Sequence, residues 1–256
     1  MCDAKRQIIK RFMSNVYGRK PDVSDINSDH DGKYGHWLET QMGIIHNGNN
    51  APDLFGYEMK NDTTSGRTTF GDWSPDVKIF GKNQALSREE FTKIFGHPSP
   101  DNPHRWSWSG KPVPKIDIWN EYGQTLTIAD NDDILVIYDF SNDQRTDKYA
   151  LVPDRFQTGQ HILMAWTHDL MRQRVEDKFN QNGWFKCLTD SDGVYTTIAF
   201  GLPITFNNWL ASVKNGNVFL DAGIYYDELN PNSRQYMSWR ANNSYWNFLI
   251  TERYPK

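Results

Sequence analysis

The stretch Ala-Pro-Asp-Leu-Phe-Gly-Tyr-Glu-Met-Lys at 51–60 constrains the fold most, because it places three charges inside an apolar run. A charge is costly to bury unless it is paired or holds a metal. Successive strand side chains point to opposite faces, so Glu58 and Lys60 project together while the residue between them faces the core. Asp53 would lie on the other face of an unbroken strand, but a turn or bulge at Gly56 can bring it beside Glu58. The stretch therefore predicts a strand that carries a small charged site.

Two carboxylates and a lysine in one site suit phosphodiester hydrolysis. Mg²⁺ prefers oxygen ligands and takes one or two protein carboxylates, so we expect Asp53 and Glu58 to bind it, with the backbone carbonyl of Met59 as a further ligand. Such a metal polarises the phosphate and lowers the pKa of the attacking water. Lys60 can orient or activate that water, or stabilise the charge that builds on phosphorus. The simpler alternative is a surface strand with a cross-strand ion pair, which the apolar flanks disfavour.

A second set of the same residue types, Asp169, Glu176 and Lys178, falls in a segment with helical spacing. Helical residues two apart lie about 200° apart around the axis. We therefore expect Glu176 and Lys178 to diverge into solvent and to form no site.

Composition narrows the class of protein. The chain has 256 residues, 38% of them hydrophobic, which suits one large domain or a domain with an insert. A net charge of -4 argues against coating nucleic acid by charge alone but permits a local basic cleft. Cys2 and Cys187 are too few for a disulfide framework or a cysteine-based zinc site. No apolar run reaches the roughly 20 residues of a membrane helix, and the N-terminal segment lacks the apolar region of a signal peptide, so we expect a cytoplasmic protein.

The pattern along the chain indicates a mixed α/β or α+β fold, because strand runs are grouped rather than strictly alternating with helices. Ser87 and Glu90 form a capping-box pattern at one helix start. Segments 63–75 and 97–112 are rich in turn residues and predict loops. Apolar spacing predicts helices over 4–17, 35–45, 87–96, 167–181 and 205–214. Strand-type runs predict strands over 114–120, 124–129, 133–140, 184–188, 194–200, 217–226 and 244–252.

Pro52-Asp53 followed by Glu58-Met59-Lys60 resembles the PD-(D/E)xK nuclease motif. Upstream, Gly-His-Trp-Leu-Glu at 35–39 resembles the helix that precedes this motif in the MutH-like nucleases and in the MvaI/BcnI group of type II restriction endonucleases. Gly43 and Asn47-Gly48 extend the likeness. The resemblance implies a restriction-endonuclease-like fold, with a central mixed sheet flanked by helices and a C-terminal DNA-recognition lobe.

By this resemblance, Asp53 and Glu58 would be metal ligands and Lys60 the catalytic lysine. Glu39 would be a supporting acid from the preceding helix that reaches a metal-bound water or Lys60. The implied function is that of a Mg²⁺-dependent type II restriction endonuclease, which cuts double-stranded DNA and leaves 5′-phosphate ends. The resemblance further implies a monomer, and a companion DNA methyltransferase that protects the host DNA.

Two alternatives to a restriction enzyme are open. A MutH-like mismatch-repair endonuclease would nick one strand with the same active site. A carbohydrate-binding or glycan-processing protein would explain the 10 Trp and 12 Tyr, and paired carboxylates also serve glycoside hydrolysis. Lys60 and the Gly-x-x-Leu-Glu helix have no natural role in the carbohydrate alternative.

The segment 218–250 resembles the base-reading region of the MvaI/BcnI group, where a strand-loop-strand element reaches the major groove. In such readout an arginine forks onto guanine and an acid accepts from cytosine. We expect a catalytic region at 1–150 and a DNA-recognition region at 151–256, within one compact unit. His46 can contact DNA or cap its helix. The candidate DNA contacts are Asp221, Arg234, Arg240, Tyr225, Ser238 and His46.

Overall fold

Seven α-helices and thirteen strands form within residues 3–24, 33–45, 49–63, 65–230 and 235–255, which are the residues that this computed structural model describes. The helices are α1 Asp3–Asn15, α2 Lys33–Met42, α3 Arg88–Phe95, α4 Lys148–Leu151, α5 His168–Phe179, α6 Phe206–Lys214 and α7 Asn243–Phe248. The strands are β1 Glu58–Lys60, β2 Arg67–Asp72, β3 Val77–Lys78, β4 His97–Pro98, β5 Arg105–Ser109, β6 Tyr122–Ile128, β7 Ile134–Asp143, β8 Gln160–Trp166, β9 Trp184–Thr189, β10 Tyr195–Gly201, β11 Val218–Asp227, β12 Tyr236–Asn242 and β13 Ile250–Tyr254. No helix in this described part is both long and apolar enough to cross a membrane.

The chain forms two compact units, each assembled from separate segments. The first comprises Met1–Thr68, Gln173–Asn208 and Asn242–Lys256, and the second comprises Thr69–Arg172 and Trp209–Ala241. Both units therefore draw on each side of residue 150, where the sequence predicted a boundary between the catalytic and recognition regions. The division of roles between those two regions stays a prediction.

The first unit is built on a four-stranded mixed sheet in the order β1-β9-β10-β13. Strand β1 runs parallel to β9, whereas β9 with β10 and β10 with β13 are antiparallel. The apolar stripes of α1 and α2 cover one face of this sheet, as their 3.6-residue spacing predicts. The predicted mixed α+β fold, with a mixed sheet and flanking helices, is confirmed. The buried residues of this layer are Ile8, Phe12, Val16, Leu38, Met42, Leu54, Tyr57, Met59, Phe185, Cys187, Tyr195, Ile198 and Phe200.

The opposite face of this sheet carries the charged residues of β1. Met59 packs in the apolar layer under α1 and α2, so strand alternation directs Glu58 and Lys60 to the other face. Their partners across the parallel pair are Trp184 and Lys186. The sheet thus separates an apolar core from a layer that mixes charge with aromatic rings.

The second unit contains a five-stranded sheet, β2-β12-β11-β5-β4, and a four-stranded sheet, β3-β8-β7-β6. Strands β11 and β12 pair antiparallel, which matches the strand-loop-strand element that the sequence predicted near the C-terminus. Helix α3 begins at the predicted capping box: the Ser87 hydroxyl accepts from the Glu90 N–H at 3.1 Å, and the Glu90 carboxylate accepts from the Ser87 N–H at 2.7 Å.

The structure corrects several local predictions. The strand expected over 114–120 is absent among the described residues because Asp117 has φ +52°, which turns the chain there. The strand expected over 244–252 is replaced by α7, whose buried Trp246 donates its indole N–H to the Thr68 carbonyl at 3.2 Å, and by β13. Strands β2 and β5 lie in the segments that predicted loops.

Candidate active site

A tight turn before β1 brings Asp53 to the strand. Leu54 and Tyr57 exchange two backbone hydrogen bonds of 2.9 Å, and the two residues between them, Phe55 and Gly56, have φ of +51° and +79°. Positive φ is the conformation that glycine adopts without steric cost. The turn folds the chain back so that the Asp53 carboxylate accepts from the Met59 N–H at 2.9 Å. Asp53 and Glu58 therefore lie together, as the turn predicted at Gly56 requires.

Glu58 is the buried centre of the site, with 2% of its surface exposed. Its Oε1 accepts from the Lys60 ammonium at 2.8 Å and lies 3.1 Å from the Lys178 ammonium. Its Oε2 is buried and has no hydrogen-bond partner among the described residues. A buried carboxylate oxygen without a partner carries a large desolvation penalty, which a bound cation would relieve.

Lys60 is nearly buried and lies beside aromatic rings. Its Nζ is 5.1 Å from the Phe179 ring centroid and 5.9 Å from that of Trp246. Burial lowers the pKa of Lys60 from its ordinary value, and the neighbouring Glu58 carboxylate opposes that shift. The amine is thus held in place next to the carboxylates, with its charge partly destabilised by its surroundings.

The pKa of Asp53 is raised from 3.8 to about 6, first by burial and second by the charge of Glu58. A buried carboxyl whose ionised form is destabilised by a neighbouring carboxylate favours a bound cation. The Glu58 N–H donates to the Gly183 carbonyl beside β9 at 3.1 Å. Backbone N–H and C=O groups of successive strand residues point to opposite edges of the strand, so those of Met59 point away from β9, toward Asp53. The two carboxylates and the Met59 carbonyl therefore fit a Mg²⁺ ion, although no cluster of three or more His, Cys, Asp or Glu side chains occurs in the described residues.

Two further lysines, which the sequence argument did not place at the site, lie around it. Lys178 reaches Glu58 from α5, so the prediction that it is solvated and uninvolved is wrong. The available signal was its position three residues after the buried Val175, on the apolar side of the helix. Lys186, fully buried on β9 opposite Lys60, pairs with Asp62 and donates to the Asn247 side chain at 2.8 Å.

Glu39 lies half-buried on α2, beside Leu38, which packs in the core. The first turn of α2 comes close to the end of β1, since a Cβ on Gly35 would lie 3.7 Å from the Asn61 side chain. The predicted role of Glu39 as a supporting acid stays a prediction.

Four of the predicted DNA contacts share one face of the five-stranded sheet. Asp221 pairs across β11 and β12 with Ser238, and its carboxylate lies 3.1 Å from the Arg240 guanidinium. Tyr225 lies on the same face because it follows Asp221 by four residues on β11, and side chains an even number of residues apart on a strand point to the same face. His46 and Arg234 lie outside the described residues.

Arg105 belongs to the same face. It pairs with Asp227 across β5 and β11, and its guanidinium lies 3.9 Å from the Tyr225 ring centroid. Its Nε is buried without a partner among the described residues. We refer to Arg105, Asp221, Tyr225, Ser238 and Arg240 as the polar sheet face.

Comparison with known proteins identifies relatives over nearly the whole chain. A family model described as LlaMI restriction endonuclease matches residues 16–254. The type II restriction enzyme ScrFI of Lactococcus lactis subsp. cremoris is 43% identical over 268 aligned residues, which cover 97% of each protein. The solved complex of restriction endonuclease MvaI with its cognate DNA substrate superimposes with a TM-score of 0.61 at 11% identity, covering 99% of this chain and 98% of that chain. At that identity the structural likeness shows the fold alone.

Proposed function

We propose that this chain, which belongs to the LlaMI restriction endonuclease family, hydrolyses double-stranded DNA at the site formed by Asp53, Glu58 and Lys60. It is a type II restriction endonuclease, and the resemblance that the sequence predicted is confirmed at this level. The carbohydrate alternative is therefore wrong. Enzymes of this class generally use a divalent metal, and our proposal is that the metal here is Mg²⁺.

One observation carries the assignment of the site: a buried carboxylate oxygen of Glu58 has no partner in the described residues, next to a second carboxyl whose pKa is raised. Asp53, Glu58 and the Met59 carbonyl would hold the ion. A bound Mg²⁺ would polarise the scissile phosphate and lower the pKa of the attacking water.

The residues of the chain then have separate tasks. Lys60, fixed by Glu58 and the aromatic rings of Phe179 and Trp246, donates hydrogen bonds that orient the water and stabilise negative charge on the phosphate oxygens. Glu39 from α2 supports the water or Lys60. Attack of water on phosphorus with departure of the 3′ oxygen leaves a 5′-phosphate and a 3′-hydroxyl.

The polar sheet face is our candidate for sequence recognition. A guanidinium can donate two parallel hydrogen bonds to guanine O6 and N7, and a carboxylate can accept from cytosine N4. The ion pair of Arg240 with Asp221 keeps both groups oriented in the absence of DNA. His46 and Arg234 complete the proposed set of contacts.

We further propose that the enzyme acts in the cytoplasm as a monomer, beside a companion DNA methyltransferase that protects the host DNA. A MutH-like enzyme would nick one strand, whereas the restriction function requires cutting of both strands. The number of strands cut is therefore a separate outcome of the test.

The test is digestion of unmethylated phage DNA by the purified protein, with Mg²⁺ or with EDTA, followed by sequencing of the fragment ends. Discrete fragments with 5′-phosphate ends that need Mg²⁺ support the proposal, and sparse nicks would favour the MutH-like alternative. Lys60→Ala should abolish cleavage yet retain DNA binding in a gel-shift assay in EDTA, while Lys10→Ala, at an exposed position on α1, should cut like the wild type. Wild-type cleavage by folded Lys60→Ala would refute the assigned site.

A further inference from the structure

Lys178 is a second ammonium group on the central carboxylate of the proposed site. Its Nζ lies 3.1 Å from Glu58 Oε1, the same oxygen that Lys60 contacts at 2.8 Å, and its side chain is 17% exposed. The motif supplies Lys60 from two residues after Glu58 on β1, whereas Lys178 comes from α5, more than a hundred residues later. Two cations therefore converge on one oxygen of a carboxylate that is nearly inaccessible to water.

Both lysine contacts fall on Oε1 and none on Oε2. The second oxygen is buried and without a partner in the described part of the chain. A carboxylate held by one oxygen has its rotamer fixed and its other oxygen directed at one point. Groups that hydrogen-bond a metal-binding carboxylate through the oxygen that does not face the ion tune the affinity of the site for that ion.

Lys60 has three N–H donors, which the proposed function divides between Glu58 Oε1, the attacking water and the phosphate oxygens. Its hold on Oε1 is therefore shared with the reaction when DNA is bound. Lys178 is the remaining donor in contact with that oxygen. Its helix is anchored close by, since Phe179 is fully buried and lies against Trp246 with ring centroids 6.1 Å apart.

We propose that Lys178 is a positioning residue that holds Glu58 by Oε1, so that Oε2 faces the cation and Lys60 is released to act on water and phosphate. This inference rests on the proposed function, because it assigns Glu58 as a metal ligand. It differs from a role in charge balance. Asp53, Glu58, Lys60 and Lys178 carry two charges of each sign, so loss of Lys178 as a mere counter-charge would make the site more negative and strengthen cation binding.

The two roles therefore predict opposite signs in one measurement. Mg²⁺ binding to the DNA-free protein would be measured by calorimetry and by the Mg²⁺-dependent rise in Tm for wild type, Lys178→Met and Lys178→Arg. We expect Lys178→Met to weaken Mg²⁺ binding by about tenfold or more. Lys178→Arg keeps a charged donor and should restore most of the affinity. Lys10→Met, an exposed lysine on another helix, is the matched control and should bind like the wild type.

Cleavage adds a second readout. The Mg²⁺ concentration for half-maximal cutting should rise for Lys178→Met, and the rate at saturating Mg²⁺ should recover most of its wild-type value, since the chemistry is left to Lys60. Lys178→Leu, which also lacks a donor, serves if the Met variant does not fold. Unchanged or tighter Mg²⁺ binding by Lys178→Met or Lys178→Leu would overturn the positioning role. Wild-type cutting by folded Lys60→Ala in the same series would instead overturn the proposed site.

Discussion

Replacing Asp53 with Asn should stabilise the metal-free protein at pH 8 while abolishing cleavage. The Asp53 pKa is about 6, against 3.8 for an ordinary aspartate, because the carboxyl is buried next to Glu58. A folded pKa above the unfolded value means that ionisation costs the folded state stability. The wild type therefore loses stability as the pH rises from about 4 to about 7, and the Asn variant, which does not ionise, is spared that loss.

The size of the effect follows from the shift. A difference of roughly two pKa units corresponds to about 3 kcal/mol at 1.36 kcal/mol per unit. Residual hydration of the partly exposed carboxyl reduces this to about 1–2 kcal/mol. The Asn side-chain oxygen can still accept from the Met59 N–H, so that hydrogen bond is kept. A gain of this size raises Tm by about 2–8 °C in a protein of this length.

Thermal unfolding followed by circular dichroism in EDTA would measure the gain at pH 8 and at pH 5, where roughly half of it should remain. Asp177→Asn, an exposed acid on α5, is the matched control and should show no gain. Added Mg²⁺ should raise Tm of the wild type but not of Asp53→Asn, because only a bound ligand of the native state stabilises it. An Asn variant no more stable than wild type at pH 8, or a gain equal at both pH values, would refute the argument that burial beside Glu58 destabilises the ionised form of Asp53.

Two further predictions concern the second unit. Arg240→Lys keeps the charge but loses the planar fork of the guanidinium. The variant enzyme should therefore discriminate less between a cognate site and its single-base variants, by about 1–3 kcal/mol in the free energy that corresponds to the ratio of their cleavage rates. An unchanged ratio in competition digests would exclude Arg240 from base readout. Asp143 is fully buried in its ion pair with Arg145 at 2.6 Å. Replacing Asp143 with Ala should lower the free energy of unfolding by about 3–5 kcal/mol, because the buried guanidinium is left without its partner. Urea unfolding measures this loss, and a loss below about 1 kcal/mol would contradict it.

The sequence predicts those parts of the site that depend on neighbours along the chain. Glu58 and Lys60 face the same side because strand side chains repeat their direction every two residues. Asp53 joins them because Gly56 permits the turn. The capping box at Ser87 is equally local. In each case the interacting groups lie within a few residues, so the backbone pattern alone determines their approach.

The missed features depend on which surfaces meet after folding. Lys178 looks solvated on its own helix, and only the packing of α5 against β1 brings it to Glu58. Placing Lys186 at the site requires knowledge of the register of β9 beside β1. The helix α7 replaced an expected strand because Trp246 gains a buried position against Trp184, with ring centroids 5.0 Å apart. Tertiary contacts of this kind override local strand propensity.

The segmented first unit has a consequence for the order of events during synthesis. The residues of the motif emerge early, but Lys178, Lys186 and the Trp246–Asn247 pair that surround them are made much later. Lys60 precedes Asn247 by almost 190 residues, a delay on the order of 10–40 s at about 5–20 residues per second. A nascent chain therefore carries the proposed catalytic residues for that interval without the groups that shape their surroundings. We expect nuclease activity only once the segment around Asn247 has been synthesised and has packed beside β1.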